Sequence, residues 1–460
     1  MKIYFTRSAL VPLLIACLLS GCSLLPRSEF KQPVTTAPDR WQEQTVTGAT
    51  MAKRDQWWKN FNDPLLDTLI ERALKTNNDL AAAAIKVRRA QLESGLTNTN
   101  LTPSVNVSGS GDGTLDLRGG KISQSYSALG SLSYEVDLWG RLSSLRDAGN
   151  WEAKATEEDR RSTALSLIGT TATAFWQVAY LNERIASSEA SIDYAEKTLA
   201  LVRVKYRTGA VSGIEPAQAQ RTVATQKAEL TRLYRQRAEA RTALAILFDQ
   251  PPENGVEERD RLPDGPIPGI EAGIPADLLG RRPDLRAAEM RLREYLANVD
   301  ATRASFYPTF TLTGSLGGSS VSLENVLRNP IATLGAGLVL PFVQWNTARL
   351  STKISETRYE EAVVTFRQTL YTALAEVENA LSAAARYREE SVLLEQSVEL
   401  SRKAEQLAET RYRAGATGVQ AWLDEQERRR NAEVSLAENR CNRLKNMMQL
   451  YQALGGDQRG

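Results

Sequence analysis

One short stretch occurs twice in this chain, and its spacing constrains the fold more than any other feature. Residues 205–210 read KYRTGA, and residues 411–416 read RYRAGA, 206 positions later in a chain of 460 residues. Each copy contains a glycine, Gly209 or Gly415, and each lies between two long stretches with helical periodicity. A glycine just past a helix can adopt the left-handed conformation that lets the chain reverse. The repeat therefore predicts two long helical hairpins with similar tips.

The same offset recurs along the rest of the chain, which indicates an internal duplication. Three further pairs lie 205 or 206 positions apart: Pro103 with Pro308, Trp139 with Trp345, and Leu244 with Leu450. We expect a first repeat over residues 64–249, a linker with six prolines over 250–275, a second repeat over 276–454 and a tail over 455–460.

Each repeat combines helices with a pair of strands. Helical spacing covers residues 65–70 and 80–97, and longer helices are predicted over 151–206, 216–248, 348–413 and 419–454. Alternating apolar and polar residues predict strands from Val105, over 126–138, over 309–316 and over 334–342. The glycines of residues 109–113 are interpreted as turn residues between the first two strands.

Heptad spacing predicts how the long helices pack. In the first hairpin, apolar or small residues recur at alternating intervals of three and four, and in the second hairpin three leucines lie seven apart. They are Ile185, Ser188, Ile192, Ala195, Leu199, Val202 and Tyr206, followed by Leu393, Leu400 and Leu407. Such seams suit helices packed side by side as a wall.

The N-terminus predicts export and lipid attachment. Lys2 and Arg7 precede an apolar run over residues 9–19, which is too short to span a bilayer and is typical of a signal peptide. The run ends in Leu-Ser-Gly-Cys, which resembles a bacterial lipobox with Cys22 as the lipidated residue. We expect a signal peptide over 1–21 and a lipidated tether and equatorial part over 22–63. The residue after Cys22 is Ser23 and not the Asp that would favour retention of a lipoprotein in the inner membrane, so we expect delivery to the outer membrane.

Composition argues against several classes of function. The chain has no His, three Cys and a formal net charge of +2, so nothing favours nucleic acid, a zinc framework or a disulfide framework. No nucleophile–base pair or phosphate-binding loop emerges, and an enzyme or a cofactor is not expected. Cys441 is expected to pack in the hydrophobic core. The Met447-Met448 pair alone does not indicate a route for copper or silver ions. The Arg428–Arg430 run is interpreted as a solvated helix face.

Four amphipathic strands per chain cannot close a sheet that faces lipid, because an open edge leaves backbone groups unpaired. Other copies of the chain must complete it. Two copies would supply eight strands and little lumen, whereas three would supply twelve strands around an aqueous one. After residue 22, no apolar run reaches the roughly 20 residues of a membrane helix.

The chain resembles a known family, the TolC-like outer-membrane efflux channels. Within that family it is similar to the lipoprotein subgroup that serves RND-type pumps. The resemblance covers the mature chain and rests on five motifs: LSGC at 19–22, WWKNFNDP at 57–64, LLGRRPDLRAAE at 278–289, FYP at 306–308 running into LTGS at 312–315, and YRAG at 412–415. One departure is PFVQWN at 341–346, where the family has an apolar-Phe-Asp-Gly-Gly-like stretch.

The resemblance implies a fold class and a set of partners. The chain is expected to be an α+β membrane protein, forming a trimeric 12-stranded outer-membrane β-barrel continuous with a periplasmic α-helical barrel. Its partners would be a periplasmic adaptor, an inner-membrane RND-type transporter and outer-membrane lipid. It would conduct drugs or other toxic small molecules passively, without metal, cofactor or chemistry of its own. The alternative is the outer-membrane channel of a type I protein secretion system.

The resemblance also implies a gate at the periplasmic hairpin tips. Asp424 matches an inward acidic position, and Tyr412 and Glu215 match positions that pair between neighbouring hairpins. The exposed tips, marked by Arg207, Gly209, Arg413 and Gly415, would meet the adaptor. The second hairpin is expected to be the inner one that moves.

Two other classes of protein, a general diffusion porin and a periplasmic scaffold, account for fewer of these features. A general diffusion porin needs eight or more strands per chain and little helix. A periplasmic coiled-coil scaffold would explain the heptads but not four amphipathic strands beside glycine-rich stretches.

Overall fold

The computed structural model describes residues 27–36, 38–43, 56–120, 122–269, 272–328 and 330–456. Cys22, the predicted signal peptide and most of the tail therefore lie outside the described residues. The chain divides into two compact units, and each takes segments from both halves of the sequence. The first comprises residues 1–35, 85–157 and 287–368, and the second comprises 36–84, 158–286 and 369–460.

The elements follow the same order in both halves of the chain. The helices are α1 (Pro64–Thr76), α2 (Asn78–Thr99), α3 (Arg141–Arg207), α4 (Ile214–Ala245), α5 (Leu278–Arg281), α6 (Pro283–Ala304), α7 (Trp345–Arg413) and α8 (Val419–Ala453). The strands are β1 (Ser104–Leu115), β2 (Ile122–Val136), β3 (Thr309–Ser320) and β4 (Ile331–Val339). Of the described residues, none belongs to a helix long and apolar enough to cross a membrane.

The first unit contains a four-stranded antiparallel sheet in the order β1-β2-β3-β4. β1 pairs with β2 in a register that places Ser104 opposite Ser133, and β3 pairs with β4 with Thr309 opposite Val339. The central pair joins the two halves of the chain, because β2 belongs to the first half and β3 to the second. Within this sheet, β1 and β4 each lack a neighbour on one side.

The interpretation of residues 109–113 as a turn was wrong. They lie inside β1 and pair with residues 124–128 of β2, while the chain reverses further on, where Gly120 has a φ of +63°. A strand tolerates glycine when a neighbour covers the gap left by the missing side chain. The Tyr126 ring does this, because it would lie 3.2 Å from a Cβ placed on Gly111.

α3 begins ten residues earlier than the sequence pattern predicts, because the turn after β2 caps it. The Asp137 carboxylate accepts hydrogen bonds from the backbone N–H groups of Leu142 and Ser143, at 2.9 and 2.8 Å. A side-chain acceptor at this position satisfies N–H groups that have no partner within the helix. β4 lies three residues earlier than predicted: it spans Ile331–Val339, and Phe342 lies in a 3₁₀ turn after it.

The second unit has an aromatic core built around the Trp-Trp motif. The Trp57 ring stacks on Tyr451 with centroids 5.1 Å apart, and the Phe61 ring lies 5.0 Å from Trp176. Asp63 ends this motif and caps α1, because its carboxylate accepts from the N–H groups of the first turn and pairs with Arg259 at 2.8 Å. The motif thus closes the core and starts the next helix.

The Arg-Arg-Pro-Asp block, residues 281–284, also holds helices of this unit together. Arg282 pairs with Asp284 at 2.7 Å and with Glu376 at 2.6 Å, and it donates to the backbone carbonyl of Ala453 at 3.1 Å. One buried guanidinium therefore links the start of α6 to α7 and to the end of α8. Bidentate and charge-assisted contacts of this kind fix geometry as well as adding energy.

A substitution at Gly317 tests how closely β3 packs against β2 in the sheet. A Cβ on Gly317 would lie 2.3 Å from the carbonyl oxygen of Ala128 in the facing strand, whereas a Cβ on Gly113 would meet nothing within 4 Å. Overpacking of this kind costs about 1–3 kcal/mol. We expect Gly317→Ala to lower the yield of folded protein in membranes, measured by mobility on gels of unheated samples. Gly113→Ala is the control, and equal yields for the two variants would contradict the register of β2 and β3.

Candidate functional site

The two hairpin tips have the same backbone geometry. Gly209 and Gly415 have φ angles of +73° and +75°. In each tip the glycine N–H donates to the carbonyl of the preceding Tyr at 3.0 Å, and the next alanine N–H donates to the residue before that Tyr at 2.9 Å. A left-handed glycine with these two bonds is a standard helix C-terminal cap. The predicted turns are therefore present at both tips.

A small apolar core binds the two tips together. We call it the tip core. It draws side chains from all four long helices and is made of Ala195, Leu199, Val202, Ala219, Val223, Tyr412, Val419, Trp422 and Leu423. Separating the hairpins here would expose this surface to water, at a cost of about 25 cal/mol per Å² of apolar area.

Tyr412 lies at the centre of this core, although its counterpart in the first repeat does not. Tyr412 is 1% exposed and its ring lies 5.4 Å from that of Trp422, whereas Tyr206 is 51% exposed. The Tyr412 hydroxyl donates to Glu215 Oε2 at 3.4 Å. Burial, with the Glu215 charge and this hydrogen bond, raises the pKa of Tyr412 to about 12. The phenol therefore stays protonated and can donate at physiological pH.

Lys205 is a tip residue that sequence reasoning missed. Its ammonium donates to the backbone carbonyl of Tyr412 at 3.0 Å and lies 4.0 Å from the centroid of the Tyr412 ring. A cation at the end of α7 also complements the helix dipole. The only sequence signal was the alignment of Lys205 with Arg411 in the repeat, and that alignment does not tell which of the two reaches the other hairpin.

A second tyrosine, Tyr194 on α3, packs against the tip core. The Tyr194 hydroxyl donates to Glu409 at 3.2 Å, and its ring meets Trp422 edge-on at 6.2 Å. Burial, together with Glu405 and Glu409, raises the pKa of Tyr194 above its usual value. Both tyrosines thus join α3 or α4 of the first hairpin to α7 of the second.

Asp424 lies on α8 outside the tip core. Its side chain is exposed and accepts a hydrogen bond from Gln420 at 2.5 Å. The structure does not bring Asp424 together with Tyr412 and Glu215 in one cluster, because its neighbours Trp422 and Leu423 point into the core instead. An exposed carboxylate is free to face another copy of the chain.

The remaining predicted tip residues are exposed in the protomer. Arg207, Gly209, Arg413 and Gly415 all lie on the surface, and Arg413 pairs with Glu409 at 2.7 Å. The part of the chain that the structure describes contains no group of three or more Cys, Asp or Glu side chains arranged to hold a metal ion. Cys441 is buried, as expected, and burial raises the pKa of its thiol.

The reading of Arg428–Arg430 as a solvated face was wrong for two of its three residues. Arg428 is exposed and pairs with Glu425. Arg429, however, pairs with Glu405 of α7 and with Glu433, and Arg430 is largely buried beside Gln226. A helix turns by 100° per residue, so three consecutive side chains cannot share one face.

With this geometry established, the chain can be compared with known proteins. The sequence model of the outer membrane efflux protein family matches residues 69–248 and 274–456. The chain belongs to the outer membrane efflux protein family. It is 34% identical over 454 residues to the pyoverdine export outer membrane protein OpmQ of Pseudomonas putida, with 96% of this chain and 97% of that protein covered.

Other relatives agree with this assignment. The toxin and drug export protein A of Aggregatibacter actinomycetemcomitans is 29% identical, with 96% of each chain covered. The solved open state of the MtrE outer membrane channel of Neisseria gonorrhoeae has a TM-score of 0.84 and 28% identity, covering 95% of this chain and 99% of that one.

The family settles the broad function. The chain is an outer-membrane efflux channel component that extends into the periplasm, and its family consists of channels rather than enzymes. The predicted α+β fold is confirmed by the long helices and the four-stranded antiparallel sheet. The type I secretion alternative is not favoured, although one relative is named for toxin as well as drug export.

Proposed function

We propose that this chain forms the trimeric exit duct of a tripartite efflux pump, and that the contacts at its hairpin tips are the gate. The observation that carries the proposal is the Tyr412 side chain, which is buried between the hairpins and held by Lys205 and Glu215. We call these three residues the tip latch. They join the second hairpin to the first at the end where the family predicts closure.

The open sheet supports the trimer. β1 and β4 leave one backbone edge each without a partner within the described sheet, and apolar side chains such as Leu334 on β4 are fully exposed. Exposed edges and apolar faces are normally covered. Three copies would pair these edges into the expected twelve-stranded barrel, and the duct would continue through the periplasm as a wall of helices.

The helices supply a second argument for copies packed side by side. Leu393, Leu400 and Leu407 lie seven residues apart on α7 and are each more than half exposed in the protomer. A heptad stripe on one helix face is typical of contact with another helix. We infer that this stripe contacts a neighbouring protomer.

The energy of the tip latch suits a gate. A hydrogen bond to a charged group contributes about 1.5–3 kcal/mol when its geometry is good, and the 3.4 Å separation of Tyr412 and Glu215 places this bond at the weak end. The Lys205 contacts add about 1 kcal/mol. A sum of a few kcal/mol can hold a tip closed and still be overcome by differential binding of a partner.

The tip latch is tested by conductance in planar bilayers. We expect Tyr412→Phe, Glu215→Gln and Lys205→Met each to raise mean conductance a few-fold, because each removes about 1 kcal/mol from the closed state. Arg411→Met is the matched control, since Arg411 occupies the equivalent position in the other repeat and is exposed. Conductance equal to that of the parent for all three latch variants would rule out a gating role.

We further propose that Asp424 from three chains forms an acidic ring at the aperture. Rings of carboxylates favour cations over anions. We expect Asp424→Asn to lower the cation-to-anion permeability ratio, measured from reversal potentials in a salt gradient. Asp193→Asn removes an exposed carboxylate from α3 instead and should leave the ratio unchanged. If the two variants behave alike, Asp424 does not line the pore.

The exposed tips are proposed to dock the periplasmic adaptor of an RND-type pump. A photo-crosslinking side chain at position 207 or 413 should capture the adaptor in cells, because both arginines are exposed beside the turn. The same group at Asp112 on β1 is the control. Capture from position 112 but from neither tip would refute tip docking. Substrate choice is expected to lie in the pump, which leaves the duct permissive.

Lipid attachment at Cys22 remains a proposal that rests on the Leu-Ser-Gly-Cys motif. We expect Cys22→Ser to abolish incorporation of labelled palmitate, because the acceptor thiol and the processing site are both lost. Cys17→Ser, five residues earlier in the predicted signal peptide, is the control and should retain the label. Labelling of the Cys22→Ser protein at the parent level would exclude lipidation at this residue.

A further inference from the structure

A cavity whose lining includes several charged side chains lies in the second unit, where α3, α4 and α8 meet. Its volume is about 330 Å³. Its charged and amide side chains are Arg184 from α3, Gln226, Glu229 and Arg232 from α4, and Arg430 and Asn431 from α8. The lining also contains Ser and Thr residues and Val434. Arg430 lies eleven residues after the first residue of α8, so the cavity is ~16 Å along that helix from the tip.

Cations outnumber carboxylates in this lining. Of the three arginines, Arg232 takes the single carboxylate, since it holds Glu229 through two hydrogen bonds of 2.5 and 2.8 Å. These bonds lower the pKa of Glu229, which keeps it ionised. Arg184 Nη2 lies 3.8 Å from Glu229 Oε1, the same oxygen that accepts from Arg232 Nη2. Within the lining, one negative charge is therefore shared by two guanidinium groups, and the ion-pair partner of Arg430, Glu427, lies outside the lining.

Arg430 is held in the cavity by a neutral group. With the Gln226 amide oriented to satisfy both of its neighbours, its oxygen accepts from Arg430 Nη1 at 2.7 Å and its nitrogen donates to the carbonyl of Ser191 at 3.0 Å. Glu427 lies 3.7 Å from Arg430 but is mostly exposed. Burial lowers the pKa of Arg430. Attraction to Glu427 opposes this shift, and repulsion from Arg429 and Arg184 adds to it.

Two observations show that the lining is prepared for an anion. Gln226 is only 6% exposed, so its amide fixes Arg430 in a buried position without neutralising it. The Nη1 atom of Arg184 is buried and has no hydrogen-bond partner among the described residues. A buried charged donor without a partner is unfavourable unless an acceptor reaches it.

We propose that this cavity binds a small oxyanion of the sulfate or phosphate type, held between Arg184 and Arg430. The planar guanidinium fork matches the geometry of such oxyanions, and charge-assisted bonds to it are strong. The cavity volume exceeds by far the roughly 30 Å³ share of one water. The bound anion bridges α3 of the first hairpin to α8 of the second, and this site is independent of the tip latch.

The test is equilibrium dialysis of radiolabelled sulfate against the purified full-length channel in detergent. We expect saturable binding of about one sulfate per chain, displaced by unlabelled phosphate. Arg184→Gln and Arg430→Gln should each weaken binding by about tenfold or more, because each removes a charge-assisted contact. Arg428→Gln, on the same helix but with an exposed side chain, should bind as the parent does.

The folding of each variant is checked by circular dichroism and gel filtration. Arg184→Lys and Arg430→Lys retain the charge but lose the fork, and they provide the measurement if the Gln variants do not fold. Weakened binding in these Lys variants supports the site. Unsaturable binding, or equal binding by the parent and the Arg184 and Arg430 variants, overturns it. Absence of sulfate binding also overturns it and would assign these arginines to carboxylates of a neighbouring copy.

Discussion

Pairing between the two halves of the chain is the constraint on which both units depend. In the first unit, β2 from the first half pairs with β3 from the second half over eleven residue pairs. In the second unit, the tip core combines Leu199 and Val223 with Tyr412 and Trp422. Neither half of the chain could bury these surfaces alone, because the sheet and the tip core each take residues from both halves.

The two halves have the same order of helices and strands, but their hairpin tips make different contacts. Both tips have the same left-handed glycine cap, yet only Tyr412 enters the tip core while Tyr206 stays exposed. Lys205 completes the asymmetry, because it reaches across to Tyr412. The two tips therefore contribute different side chains to the contact between the hairpins.

The sequence predicted the elements better than their contacts. The helices, the four strands and the glycine turns follow from local patterns, although the start of α3 and the bounds of β4 differ from the prediction and the glycine-rich stretch of β1 was taken for a turn. There the glycines suggested a turn, but pairing with β2 and cover from Tyr126 make a strand. Tyr412 and Glu215 were expected to pair and lie within hydrogen-bond distance. Lys205 and the buried Arg430 were missed, because neither carries a local signal of its surroundings.

What the amino-acid sequence determined by itself is the set of helices, strands and reversals, together with membership of a family of outer-membrane efflux channels. These depend on short-range periodicity, on glycine conformation and on motifs that are contiguous in the chain. The tertiary structure alone decided which tyrosine is buried, which lysine crosses between hairpins and where arginines gather without matching carboxylates. The reason is physical: burial and charge compensation are set by residues some 200 positions apart in sequence, which only the folded chain brings together.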